Sequence, residues 1–90
     1  MNPINEYVHR VYLLWPAATV KVREPRDKIN GEYWIDIGLS PRAVTVQWQS
    51  SRGWGISDTS DDRPIPYTSA PDLRVTSVDQ LIEETRKILK

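Results

Sequence analysis

The sequence predicts an α+β fold, in which a single antiparallel β-meander sheet of three or four strands carries an N-terminal helix and a C-terminal amphipathic helix on one face. Three observations predict it. The first and last segments repeat apolar residues at helical spacing, the middle alternates apolar and polar residues, and short turn signals separate the alternating runs. With 90 residues, 39% hydrophobic and 27% charged, the chain is interpreted as a single small globular domain over 1–90.

The N-terminal helix is predicted over about residues 3–14. Asn2 can cap it, Pro3 is tolerated in the first turn, and Pro16 should end it. One helical face collects the apolar residues Ile4, Val8, Val11, Tyr12 and Trp15. β-Branched and aromatic residues also favour strands, so an extended segment over 8–15 is the alternative.

Four strands are predicted in the middle of the chain, over about 18–23, 33–38, 43–49 and 53–57. Their alternation assigns one face to the apolar residues Val20, Val22, Ile35, Ile37, Val44, Val46, Trp48, Trp54 and Ile56. Asn30-Gly31 and Ser40-Pro41 are typical of turns, and Gly53 is expected at a positive-φ corner of the last hairpin. Both helices are expected to cover the apolar face.

Residues 58–76 are predicted to form a loop, because three prolines disfavour regular structure there. Leu73 to Val75 is the alternative, a short additional strand. Three carboxylates, those of Asp58, Asp61 and Asp62, also fall in this loop. The stretch lacks the glycine and final glutamate of an EF-hand loop, so it is interpreted as a solvated acidic turn rather than a cation site.

The C-terminal helix, over 77–89, carries the strongest helical signal. Ser77 and Gln80 fit a capping box, and Glu83 and Lys87 are spaced to pair one turn apart. Its apolar face collects Val78, Leu81, Ile82, Thr85, Ile88 and Leu89. This face is expected to pack on the sheet, and docking to a partner helix is the alternative.

The chain offers little catalytic chemistry. It has no cysteine and one histidine, His9, which is expected to lie exposed and off the apolar helix face. No orienting group can be named for His9, and the residues of a zinc site are missing. We therefore expect no catalytic residues, no metal, no cofactor and no enzymatic activity.

Net charge and the predicted cellular compartment argue against further classes of function. Lysine and arginine number 12, as do aspartate and glutamate, and this zero net charge argues against a dedicated nucleic-acid-binding domain. The N-terminus lacks the basic start and apolar segment of a signal peptide, and the longest apolar run is Val11 to Trp15. Together with the absence of cysteine, this predicts a cytoplasmic protein without a membrane partner.

The strand alternation leaves a second, polar face on the sheet. It comprises Lys21, Arg23, Trp34, Asp36, Thr45, Gln47, Gln49, Gly53, Gly55 and Ser57. An exposed tryptophan among arginine, lysine and glutamine is the composition of a binding hot spot. The alternative is that Trp34 is half-covered by the long loop or by Tyr67 and only closes the fold.

The leading hypothesis is a small accessory protein that binds a protein partner through an open sheet face centred on Trp34 and through the 58–76 loop. The residues expected to bind the partner are Trp34, Lys21, Arg23, Gln47, Arg52 and Tyr67. The alternative is a single-stranded nucleic-acid-binding module that uses Trp34, Lys21, Arg23 and Arg52. Self-association into a homodimer also stays open.

Overall fold

The structure is a computed structural model that describes residues 3–60 and 73–89. Its elements are α1 (Ile4–Leu14), β1 (Thr19–Arg23), β2 (Tyr33–Leu39), β3 (Arg42–Gln49), β4 (Gly53–Asp58), β5 (Leu73–Val75) and α2 (Val78–Ile88). All strands pair antiparallel with their sequence neighbours, in the order β1-β2-β3-β4-β5. The α+β meander is therefore confirmed, with five strands instead of the three or four predicted.

The fifth strand corrects the loop predicted over 58–76. Asp58 ends β4, and Leu73–Val75 pairs with Trp54 to Ile56 as β5. The alternative, a short additional strand over Leu73 to Val75, is therefore confirmed. Residues 61–72, Tyr67 among them, lie outside the described residues.

Helix α1 forms as predicted but faces the core with a different side chain. Ile4, Tyr7 and Val11 are buried, whereas Tyr12 is 47% exposed, so assigning Tyr12 to the buried face was wrong. Successive residues of a helix are rotated by about 100°. Ile4, Tyr7 and Val11 lie about one turn apart and therefore share the face that is buried in the core. Pro3 occupies the N-cap position without a side-chain cap, and the predicted Asn2 cap lies outside the described residues.

The connection between β1 and β2 contains the predicted turn pair Asn30-Gly31 within a longer polar segment. Oδ1 of Asp27 accepts hydrogen bonds from the backbone amides of Ile29 and Asn30, both at 3.0 Å. Only glycine fits at position 31, because a Cβ there would overlap Pro25 and the Asp27 carbonyl. This connection is therefore organised by the Asp27 carboxylate and by the close approach of Gly31.

The other two turns agree better with the sequence. Gly53 has a φ of 74° and, among the described glycines, is the one with positive φ, as predicted. Ser40-Pro41, a cis peptide, forms the two-residue turn into β3. These turns set the register of β3 against its two neighbours.

The core lies between the helices and the apolar face of the sheet. Four aromatic side chains cross it in a chain of tilted rings, with centroid separations of 5.5 Å for Tyr7–Trp54, 6.1 Å for Trp48–Trp54 and 5.8 Å for Tyr33–Trp48. Tilted pairs at this spacing add to the burial of apolar area. Aromatic side chains from α1, β2, β3 and β4 thus join the helix to the sheet.

Helix α2 follows the prediction closely. Leu81, Ile82 and Thr85 are buried, and the Ser77 hydroxyl accepts a hydrogen bond from the Gln80 amide at 3.1 Å. The predicted Glu83–Lys87 pair is wrong, because Lys87 Nζ lies 3.1 Å from Glu84 instead. No helix within the described ranges is long and apolar enough to cross a membrane.

Candidate interaction face

The strand register builds the polar face that alternation predicts and orders its residues in rows. The central row crosses all five strands and consists of Arg23, Trp34, Gln47, Gly55 and Arg74. The adjacent row contains Lys21, Asp36, Thr45 and Ser57. We call the surface formed by these two rows the polar face. Both helices lie on the opposite side, which carries the buried apolar residues of the strands.

Trp34 lies at the centre of a small polar network. The Arg23 guanidinium carbon is 5.7 Å from the Trp34 ring centroid, a cation–π distance. The same guanidinium lies 3.0 Å from Oδ2 of Asp36, and Oδ1 of Asp36 accepts a 3.0 Å hydrogen bond from Thr45. Trp34 is half-buried, which agrees with the half-covered alternative rather than with a fully exposed side chain, and Tyr67, the residue expected to cover it, lies outside the described residues. The network holds a cation over the ring.

The face is not open along its whole length. Gln47 is 5% exposed and Thr45 is 6% exposed, and Gly55 next to Gln47 is buried. Gln47 belongs to the central strand and stands directly opposite the large Trp34 side chain, which accounts for part of this burial. The expectation of an open face therefore fails at its middle, and Gln47 does not present a free side chain.

The remaining predicted binding residues are unevenly placed. Lys21 is exposed on β1, directly opposite Asp36, and so stands beside Trp34 and Arg23 on the same face. Arg52 is exposed in the turn between β3 and β4, beyond the strand rows. Tyr67 lies outside the described residues. The structure thus brings Trp34, Arg23 and Lys21 together and leaves Arg52 at the margin.

Arg74 is a polar-face residue that the sequence pattern does not identify. It is exposed and stands opposite Gly55, at the far end of the central row from Arg23. Its assignment depends on recognising β5, and the alternation of a three-residue strand gives no usable signal. Both ends of the row therefore carry a guanidinium.

Two groups with shifted pKa values lie away from this face. Burial raises the pKa of the Tyr7 hydroxyl well above its usual range, within the helix-side core. Backbone amides of Asn30 and Ile29 lower the pKa of Asp27 in the β1–β2 connection. His9 is exposed on α1, as predicted. Both pKa shifts have structural causes.

The acidic stretch after β4 contributes a structural ion pair. Asp58, its first carboxylate, lies 3.0 Å from a guanidinium nitrogen of Arg42, and its other oxygen accepts a hydrogen bond from the Ser60 amide. Within 3–60 and 73–89, no three histidine, aspartate or glutamate side chains cluster as a metal site would need. Asp61 and Asp62 lie outside those ranges.

Comparison with protein-family models, with curated proteins and with solved structures gave no match to this chain. What the chain does must therefore follow from its own residues. Among these, the cation-stacked tryptophan on the polar face is the feature with the clearest binding chemistry.

Proposed function

We propose that this chain is a small cytoplasmic accessory protein that binds a protein partner through the polar face, centred on Trp34, together with residues 58–76. The observation that carries the proposal is the stacking of Arg23 on a partly exposed Trp34, with Asp36 holding the guanidinium from the side. Trp34, Arg23 and Lys21 are the residues expected to dominate the contact.

The arrangement suits a hot spot for a physical reason. Tryptophan and arginine are the side chains most enriched where truncation costs a complex about 2 kcal/mol or more. A long arginine side chain normally loses rotamer freedom when a partner immobilises it. Here the ion pair with Asp36 and the Trp34 ring already restrict Arg23, so less of that entropy is lost on binding.

The same contacts disfavour the nucleic-acid alternative. A phosphate-binding surface gains affinity from cations that release counterions, and Asp36 partly neutralises Arg23. Arg52, one of its four proposed residues, stands in a turn outside the strand rows. Lys21 and Trp34 are the remaining support, and the zero net charge of the chain argues against this alternative. A protein partner is therefore the proposed class.

A pull-down that separates the two partner classes tests this proposal. The tagged chain is incubated with lysate of its source cells, and the lysate is divided into nuclease-treated and untreated halves before mass spectrometry. We expect a stoichiometric protein partner in both halves, with modest loss between about 50 and about 200 mM salt. The nucleic-acid alternative would be favoured instead if the partners disappeared after nuclease treatment, or if their recovery fell as steeply with salt as phosphate contacts predict.

A further inference from the structure

The first strand lies at an edge of the described sheet. Within the described ranges β1 pairs with β2 alone, and no backbone group of residues 19–22 bonds to another element. Four of the five residues of β1 are exposed. An edge strand directs the N–H and C=O groups of alternate residues away from the sheet, where they can pair with another strand. The edge therefore offers main-chain hydrogen bonds to an extended segment.

The two sides of this edge differ in chemistry. Lys21 and Arg23 project on the polar-face side, where the Arg23 side chain is 47% exposed. Val20 and Val22 project on the helix side, and Val22 is 38% exposed. Beside Val22 lies a groove of about 380 Å³ between α1 and the sheet, lined by Ile4, Val8 and Tyr33 and by the polar side chains of Asn5, Glu24 and Lys28.

A strand added to β1 would thus meet cations on one side and the exposed Val22 on the other. Lys21 forms no ion pair with residues 3–60 or 73–89, since the carboxylate opposite it, Asp36, bonds to Arg23 instead. An incoming carboxylate would supply that missing partner. Opposite charges facing each other across paired strands stabilise the pair.

Two registers of a second copy of this chain on the edge are disfavoured by charge. The antiparallel register that pairs all five residues of β1 with another β1 places Lys21 opposite Lys21. Moving the two-fold axis to Val22 places Lys21 opposite Arg23 on both sides. Like charges opposite each other destabilise strand pairing, and lysine on an edge strand is a known defence against self-association.

We infer that the outer edge of β1 accepts an extended segment of a partner protein in which acidic and apolar residues alternate. The acidic residues would face Lys21 and Arg23, and the apolar residues would cover Val20 and Val22. Main-chain hydrogen bonds would hold the segment, as in other strand-addition complexes. This surface shares Lys21 and Arg23 with the proposed hot spot, but it depends in addition on the edge backbone and on Val22.

Two synthetic peptides test the inference by nuclear magnetic resonance on the isotope-labelled full chain. One is a short peptide that alternates glutamate and valine, and the matched control has lysine in place of every glutamate. We expect the glutamate peptide to slow hydrogen exchange of the outward amides of β1 and to shift resonances around Val22. Equal binding of the two peptides, shifts confined to other elements, or no binding of either would overturn the inference.

Two charge-reversed variants test whether the peptide binds at the edge. Lys21→Glu should weaken binding of the glutamate peptide about five- to tenfold and strengthen binding of the lysine peptide, because one cross-strand attraction becomes a repulsion. Lys87→Glu, the matched charge reversal at an exposed position on α2, should bind the glutamate peptide as the unchanged chain does. An unaltered peptide preference in Lys21→Glu would overturn the inference. Protection of β1 that rises with protein concentration alone would identify a second copy as the occupant and also overturn it.

Discussion

The Tyr7 hydroxyl donates a 2.8 Å hydrogen bond to Oγ1 of Thr85, which joins the first helix to the last across the buried core. The direction follows from a second contact. Thr85 has one hydroxyl proton, and it is donated to the Leu81 carbonyl at 2.7 Å. The Tyr7 proton must therefore point toward Thr85, so the two helices are linked by a directed chain from Tyr7 through Thr85 to Leu81.

This direction predicts unequal effects of two substitutions on the free energy of unfolding. Tyr7→Phe removes a donor but leaves Thr85 able to donate to Leu81, so it should cost about 1 kcal/mol. Thr85→Val leaves a buried hydroxyl on Tyr7 without an acceptor and should cost about 2–3 kcal/mol. Urea denaturation of both variants measures the difference. A larger cost for Tyr7→Phe would reverse the assigned direction.

The double variant Tyr7→Phe with Thr85→Val provides the control. Once both partners are apolar, no hydroxyl of this pair is left without a bond, so the combined loss should be smaller than the sum of the single losses. Strict additivity would show that the two side chains do not interact as the 2.8 Å distance indicates.

The turn into β4 depends on the backbone of Gly53. Its φ of 74° is unfavourable for a residue with a Cβ, although a Cβ there would lie at an ordinary 3.6 Å from its nearest neighbour, the Val75 carbonyl oxygen. Gly53→Ala should therefore lower the free energy of unfolding by about 1–2 kcal/mol through backbone strain alone. Gly53→Asn, which tolerates this conformation better, should lose less in the same denaturation experiment. Equal losses would point to a clash instead of strain.

Arg42 ties three elements together at the end of the sheet. Its Nε donates to the Ile88 carbonyl at 2.9 Å, and its Nη2 lies 3.0 Å from Oδ2 of Asp58. Both side chains of the ion pair are largely shielded, at 27% and 20% exposure. Arg42→Met should lower the free energy of unfolding by about 1.5–3 kcal/mol, because charged hydrogen bonds are lost.

Lys87→Met is the matched control for Arg42→Met. Lys87 pairs with Glu84 at a similar distance, 3.1 Å, but its side chain is 68% exposed. Exposed pairs contribute little, so the expected change is about 0.5 kcal/mol or less. Similar losses in the two variants, measured by urea denaturation, would contradict the structural role assigned to Arg42.

Asp27 makes the β1–β2 connection sensitive to acid. Backbone amides of Asn30 and Ile29 lower the pKa of its carboxyl below the usual aspartate value. Its contribution is therefore fully present above the unfolded-state pKa, about 3.9, and is lost as the pH falls through the lower folded-state value. In a pH titration followed by nuclear magnetic resonance, the resonances of the Asp27 carboxyl and of the Ile29 and Asn30 amides should change with a single midpoint. That midpoint should lie below the midpoint of free aspartate. A midpoint at or above it would contradict these hydrogen bonds.

The sheet could be predicted in more detail than the helix packing. Strand alternation has a period of two, so identifying the apolar face also fixes which residues share the polar face, and the register agrees. In α1 the apolar residues cover more than half the circumference, so the sequence does not distinguish a buried Tyr7 from a buried Tyr12. Tertiary contacts with Trp54 and Thr85 settle the choice.

Burial on the polar face could not be predicted from alternation. Alternation assigns a side chain to a face but says nothing about what lies beside it, and Gln47 is buried next to Trp34. The ion pair between Arg23 and Asp36 is also invisible in the sequence, because it joins residues on neighbouring strands that are offset from direct opposition. The strand alternation assigns both residues to the polar face, but it does not predict that they form an ion pair.

The central claim is that Trp34 dominates binding of a protein partner. Its most direct test measures how much partner each tagged variant recovers from nuclease-treated lysate, alongside its thermal unfolding midpoint. Trp34→Ala should recover at least about tenfold less partner at an unchanged midpoint, as expected for a hot spot. Leu13→Ala, a control on α1 at a residue 68% exposed, should recover as much partner as the unchanged chain. Undiminished recovery by Trp34→Ala, or a collapse of its fold, would contradict the account.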